Sequence, residues 1–376
     1  MIGINKRFTI WIALFLVAAT VTAASPKTKK VINIINKANY YWQKNNPEHG
    51  NSFWHRAAYH TGNMEAYSLT GNKDFLRYSE AWAEKNEWKG AKSDNKAVWK
   101  SSYGETDTYV LFGDFQICFQ VYIDLYKIAP ADYKIARARE VMEYQMSLDR
   151  DDFWWWADGL YMVMPVMTRL HRFTGEEIYL NKLRDYLRYS DSIMYDAEAG
   201  LYYRDAKYVY PKHKTKSGKK DFWARGDGWV LAGFARVLAD FPLAHEDRPF
   251  YVERFRTLAK SVATTQQSEG YWTRSMLDPA HAPGPETSGT AFFTYGLLWG
   301  INNGLLPEAE YKTTVEKAWK YLSETALQAD GRVGYVQPIG ERADQHKNVG
   351  PTTTADFGVG AFLLAACEYV RYLDKK

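Results

Sequence analysis

Apolar side chains recur at intervals of three and four along almost the whole chain, and this periodicity is the strongest constraint on its fold. Phe115, Cys118, Phe119, Tyr122, Ile123 and Tyr126 fall on one helical face, and Gly159, Val163, Val166, Met167 and Leu170 fall on another. Strand-like alternation is scarce. The punctuation repeats as well: Thr70-Gly71-x-x-x-Phe75-Leu76 returns as Thr174-Gly175-x-x-x-Tyr179-Leu180, with further breaks at Ala129-Pro130, Pro242 and Pro307. Breaks spaced roughly 45 to 70 residues apart read as a helix-pair repeat.

Two sets of helical segments alternate. One is polar and charged on its outer face: 29–44, 73–87, 132–147, 176–190, 249–266 and 309–326. The other is richer in Gly, Ala and aromatic residues: 55–69, 113–127, 158–172, 228–240, 289–302 and 356–371. Their alternation predicts an all-α fold, an (α/α)6 toroid with an inner ring of helices inside an outer one. Inner-to-outer links are short, whereas the outer-to-inner links 88–112, 191–227, 267–288 and 327–355 are long. Long connections in a compact domain are usually functional. These carry Trp99, Tyr103, Trp223, Arg225, Trp272 and His281 and emerge where the inner helices begin, so the site is expected at that mouth.

Composition narrows the partners. A chain of 376 residues with 46% apolar content is long enough for a large core, and disorder is excluded. A balance of 48 basic against 44 acidic side chains points to neither nucleic acid nor a membrane surface. Aromatic content is 16%, with 14 Trp and 28 Tyr, side chains that serve cores and also stack on sugar rings. Lys6-Arg7, the apolar run Phe8 to Val21 and Thr22-Ala23-Ala24 describe a secretory signal peptide over 1–24, with an uncleaved anchor as the other reading. Cleavage falls before Ala24 or before Ser25, no lipid-anchor cysteine follows, and 25–376 is expected to form one exported, periplasmic domain. Cys118 and Cys367 sit on inner helices that are not neighbours, so two buried free thiols are expected.

Phe153-Trp154-Trp155-Trp156-Ala157-Asp158-Gly159 is the most unusual stretch. Asp158 stands at the start of an inner helix, where it reads either as a helix cap or as a carboxyl held protonated by apolar walls, the state a general acid needs. Asp114, after Gly113, holds the corresponding place on the preceding inner helix. Neighbouring helices about 8–10 Å apart bring the two within reach, and each like charge favours protonation of the other. Trp223-Ala224-Arg225-Gly226-Asp227-Gly228-Trp229 opens the fourth inner helix: Arg225 is suited to clamp a carboxylate and the two tryptophans to flank a ring, or else Asp227 caps, Trp229 is core and Arg225 pairs with an outer-loop acid. Trp54-His55 and Glu286-Thr287-Ser288-Gly289 occupy equivalent entrances. His-Glu-x-x-His, clustered Cys/His ligands, a Walker loop, Gly-x-Gly-x-x-Gly after a strand and Gly-x-Ser-x-Gly are all missing from the sequence, so neither a metal nor a cofactor is expected. His171, at the far end of its helix, reads as structural.

Trp156-Ala157-Asp158-Gly159-Leu160-Tyr161-Met162 and Trp223-Ala224-Arg225-Gly226-Asp227-Gly228-Trp229 together resemble the unsaturated uronyl hydrolases of glycoside hydrolase family 105, also called unsaturated rhamnogalacturonyl hydrolases, and their relative family 88. Glu286-Thr287-Ser288-Gly289-Thr290-Ala291 and Gly358-Val359-Gly360-Ala361-Phe362-Leu363-Leu364-Ala365 extend the resemblance over most of the chain. It implies that Asp158 is catalytic, that Asp114 assists, and that Trp223, Arg225 and Trp229 line the sugar subsite; Trp54, His55, Trp156 and Glu286 are further candidate contacts by their place at the helix entrances. Where many members carry a histidine after two tyrosines, this chain reads Tyr202-Tyr203-Arg204, so that contact to the sugar is expected either from Arg204 or from elsewhere in the chain. The implied reaction hydrates the C4=C5 bond of an unsaturated uronic acid at the end of a lyase-generated oligosaccharide, by the family's habit derived from rhamnogalacturonan. Asp158 protonates C4, and either aspartate guides the water. An inverting hydrolase on saturated oligosaccharides and a non-catalytic sugar-binding toroid are the other readings.

Overall fold

The computed structural model describes residues 25–375, so the expected signal peptide over 1–24 lies outside the described residues. Among the described residues, twelve α-helices alternate between two concentric rings. The outer ring comprises α1 (Pro26–Asn45), α3 (Lys73–Lys85), α5 (Tyr133–Ser147), α7 (Ile178–Met194), α9 (Arg248–Ala263) and α11 (Glu308–Tyr321). The inner ring comprises α2 (Trp54–Thr70), α4 (Cys118–Ile128), α6 (Ala157–Thr174), α8 (Ala224–Asp240), α10 (Thr287–Asn302) and α12 (Asp356–Asp374). Each inner helix packs on its two neighbours, and α12 closes the circle against α2. The fold is the expected (α/α)6 toroid.

Two expected boundaries move. Helix α8 begins at Ala224 rather than 228, so Arg225-Gly226-Asp227 belongs to its first turn. Helix α4 begins at Cys118, and the segment Gly113–Phe115 ahead of it is a separate 3₁₀ turn. A small hairpin, β1 (Tyr195–Asp196) with β2 (Leu201–Tyr202), interrupts the long link after α7.

The repeated Thr-Gly breaks act as helix stops. Gly71 and Gly175 adopt φ of 68° and 70°, a left-handed conformation that costs glycine least, and each donates its N–H to a carbonyl of the last turn, Tyr67 and His171. The chain therefore turns back after two or three residues, and α2–α3 and α6–α7 form tight hairpins. The sixth pair is made differently: the outer helix α1 packs mainly on α12, so the two ends of the chain complete the ring together. Cys118 and Cys367 are buried and unpaired, as expected. His171 pairs with Glu177 at the end opposite the mouth.

The ring is filled rather than hollow. On its axis Tyr161, Trp229 and Phe292 pack with ring centroids 4.3 to 5.4 Å apart. Trp54 contacts Trp229 edge-on from above at 6.3 Å. No helix among the described residues is long and apolar enough to cross a membrane.

The closing seam is unusually tight. A Cβ on Gly62 of α2 would lie 2.2 Å from the Gly360 carbonyl oxygen, and one on Gly360 of α12 would lie 2.3 Å from that of Ala58. Backbone meets backbone, so neither helix has a flexible side chain that can yield. Gly360→Ala is expected to cost at least about 1–3 kcal/mol, read as a lowered denaturation midpoint in urea. An unchanged midpoint would show that the seam opens freely.

Candidate active site

A cavity of about 580 Å³ lies at the expected end of the toroid, over the entrances of α2, α4 and α6. Its walls include Trp54, His55, Asp114, Trp156, Asp158 and Arg204. Six of the expected site residues are thus brought together from four separate segments.

Local packing explains how the two aspartates meet. Trp156 precedes the first turn of α6, and its buried indole lies against both Gly113 and Gly159, where an added Cβ would stand about 3.0 Å from the ring. Asp114 follows Gly113 and Asp158 precedes Gly159, so one indole sets the spacing of both carboxyl groups. Phe112 extends the wall, 4.9 Å from Trp156, with Trp155 4.8 Å beyond. Neither aspartate caps a helix: the cap positions are Phe112 and Trp156, and no side-chain cap bond forms at either.

Arg204 reaches the pair through a backbone tether. The Ala157 N–H donates to the Arg204 carbonyl at 2.8 Å, and Trp156 pairs with Asp205 as an isolated bridge. The guanidinium is then surrounded by acids. Nη1 donates to Asp205 Oδ2 at 2.6 Å, Nε stands 3.9 Å from Asp158 Oδ2, and Nη1 stands 3.5 Å from Glu341.

The electrostatics differ between the two aspartates. Burial first, and then the neighbouring Asp158, push the Asp114 carboxyl well above its ordinary range. Burial also raises Asp158, but the cations of Arg204 and Arg225 draw it back down, and its Oδ2 has no hydrogen-bond partner. Asp114 is therefore the firmer proton holder, and Asp158 the one that more readily gives and regains a proton.

Four expected contacts are corrected. Trp223, Arg225, Trp229 and Glu286 do not line the cavity. Arg225 is buried and donates to the carbonyls of Gln337 (2.7 Å) and Pro338 (3.0 Å), stacked against Trp223 and Phe357. Trp223 donates its indole N–H to Gln337 Oε1 at 2.8 Å. Glu286 caps α10 through the N–H groups of Ser288 and Gly289 and accepts the N–H of Gln337. Trp229 belongs to the axial core. The reason is common to all four: the loop 327–355 folds back over the entrances of α8 and α10 and takes up their polar groups. Of the aromatic and charged residues expected on long loops, only Tyr103 reaches the cavity; Trp99, Trp272 and His281 are buried elsewhere.

The same loop adds residues that sequence reasoning missed. Ile339, Gly340, Glu341 and Gln345 line the cavity with Asn51, Glu105 and Lys207. Their loops were marked by length, but no motif or spacing singles out these positions. Tyr103, 63% exposed, rests edge-on against Phe112 and donates its hydroxyl to Glu105 at 3.1 Å. His55 Nδ1 lies 2.7 Å from Asp356, which also takes Arg56 Nε at 3.0 Å. No group of three or more His, Cys, Asp or Glu suited to a metal occurs among the described residues.

The family model for Glycosyl Hydrolase Family 88 matches residues 27–373. The chain belongs to glycosyl hydrolase family 88. A family 88 structure from Bacteroides vulgatus is 60% identical, with a TM-score of 0.90 over 92% of this chain and 99% of that one. A second solved structure, described as a polysaccharide lyase, is 68% identical, with a TM-score of 0.91 over 93% of this chain and 99% of the other. An unsaturated 3S-rhamnoglycuronyl hydrolase of Formosa agariphila is 37% identical over 222 residues; the match spans 58% of this chain and 58% of that relative's length.

The raised Asp114 carboxyl has a measurable consequence. A group that binds its proton more tightly folded than unfolded stabilises the fold fully below the ordinary carboxyl range, and that contribution is lost as pH rises through the folded value. Asp114→Asn cannot ionise, so its melting temperature should gain on wild type as pH climbs from about 5 to about 8. Parallel melting curves across that range would mean that Asp114 is already charged in the folded protein.

Proposed function

We infer that this family 88 chain removes a 4,5-unsaturated uronic acid from the non-reducing end of lyase-generated oligosaccharides. The observation that carries the reading is the pair of buried carboxyls, both pushed by burial toward the protonated form and Asp114 the more firmly, beside a guanidinium in a tryptophan-walled cavity. The substrate's ring oxygen is conjugated to the C4=C5 bond, so the sugar is a vinyl ether. Asp158 donates its proton to C4, and positive charge develops at C5 and the ring oxygen. Water adds at C5 and its proton returns to the Asp158 carboxylate, while Asp114 keeps its own. The hemiketal opens to a C5 ketone, the C1 hemiacetal then releases the remaining saccharide as an alcohol, and one water has been consumed. The raised Asp158 carboxyl, drawn back by two arginines, suits this cycle, because the same group must first donate a proton and then recover one.

The name of the Formosa relative supports rhamnose as the neighbouring residue, and we propose unsaturated uronyl-rhamnose ends as substrates. Lys6-Arg7 and the apolar run behind it support export, so the proposed place of work is the periplasm.

Asp158→Asn is expected to lower kcat about 10²- to 10⁴-fold, with a smaller loss for Asp114→Asn. The assay follows the ultraviolet absorbance of the conjugated double bond in an unsaturated disaccharide. A fall in absorbance supports the hydrolase. Rising absorbance on intact polysaccharide would instead mark a lyase, the description carried by the 68% identical structure. Turnover unchanged in Asp158→Asn would remove that residue from the chemistry.

A further inference from the structure

Three acids surround Arg204, and they are not equivalent. Asp205 is buried and bonded at 2.6 Å, which makes it the permanent partner. Asp158 stands off at 3.9 Å on the reacting side. Glu341 is the third, on the opposite rim: its side chain is 41% exposed, 3.5 Å from Arg204 Nη1 and 3.2 Å from Lys207 Nζ. It also accepts the Tyr208 hydroxyl, and these donors outweigh its partial burial to keep its carboxyl below the ordinary range.

The position of Glu341 is built, not incidental. Its N–H donates to Gln345 Oε1 at 2.9 Å, and the buried Gln337 amide donates to the carbonyls of Arg342 (3.1 Å) and Gln345 (2.8 Å). Gln337 is itself held by Trp223 and Glu286. Arg204 and Lys207 carry two positive charges against the one permanent negative charge of Asp205. Glu341 supplies the balance from the solvent side of the cavity.

We propose that Glu341 is a resident counter-ion, occupying on Arg204 and Lys207 the place that the carboxylate of an incoming uronic acid takes over. The inference rests on the proposed uronide chemistry and deepens it, by naming the two cations that read the acid group and the side chain that yields to it. Glu341 costs the enzyme some affinity for its ligand and in return keeps the two cations neutralised while the cavity is empty. An electrically neutral sugar has no means of displacing it, so the exchange selects for acids.

Calorimetry with galacturonate, a saturated acid that the chain does not consume, tests the exchange directly. Glu341→Gln is nearly isosteric and half-exposed, and its Kd for galacturonate is expected to fall about two- to fivefold, the range of a partly exposed ion pair. Lys207→Gln should raise Kd by a similar factor, and binding of galactose, which lacks the carboxylate, should move with neither variant. On an unsaturated disaccharide the Glu341→Gln effect should appear as a lower KM, with Glu341→Asp restoring most of the wild-type value. Weaker or unchanged galacturonate binding in Glu341→Gln overturns the proposal. So does an equal change for galactose, or the lack of galacturonate binding in every variant. If galacturonate binding keeps the expected order while the wild type consumes no unsaturated uronide, the counter-ion stands and the hydrolase reading falls.

Discussion

The first N–H groups of any helix lack partners within it, and in this toroid the loops that satisfy them also build the site. At three successive inner helices the donor at the entrance bonds to a carbonyl of the next long loop: Ala157 to Arg204, Ala224 to Arg274 and Thr287 to Tyr335, at 2.8 to 2.9 Å. Three of the four long outer-to-inner links are thereby drawn back across the mouth of the ring. Without that bond Arg204 has no reason to lie beside Asp158, and the strand of loop carrying Gln337 and Glu341 has no reason to lie over α8 and α10. A backbone requirement of helices thus dictates where the charged side chains of the cavity stand.

The second constraint is electrostatic. Two carboxyls within one desolvated pocket do not both ionise cheaply, and which of them keeps the proton depends on their other neighbours. Here Arg204, within the wall, acts on both aspartates, but Arg225, behind it, acts on Asp158. Burial and the neighbouring Asp158 outweigh Arg204 at Asp114, so its proton is held more firmly. The asymmetry comes from buried arginines rather than from the aspartates themselves, and it separates a labile proton from a fixed one.

The architecture was legible in the sequence because a helix-pair repeat writes itself twice, in the three-and-four spacing and in the Thr-Gly stops. Asp114 and Asp158 were legible too, since each stands at a helix entrance beside a glycine, and Trp156 was legible as one of three consecutive tryptophans. The entrances of α8 and α10 were misread for a physical reason. Trp223, Arg225 and Glu286 look like ligand contacts because they are polar or aromatic at a mouth, yet their partners are Gln337 and Pro338, more than a hundred residues away from the first two and some fifty from the third. Nothing local in the chain announces that a loop returns to cover them. Glu341 and Lys207 were invisible for the same reason, since a lone charge on a long loop has no pattern.

That covering loop also bears on how a polymer meets the site. With Gln337 and Pro338 seated on Trp223 and Arg225, the α8–α10 side of the mouth is closed, and the open cavity lies only over α2, α4 and α6. Below it the axis is filled by Trp54, Trp229, Tyr161 and Phe292. Under the proposed function, a saccharide that enters past Tyr103 reaches the aspartates with the filled axis behind them, an arrangement suited to a chain end. An unsaturated uronic acid left by a lyase is by its chemistry always terminal.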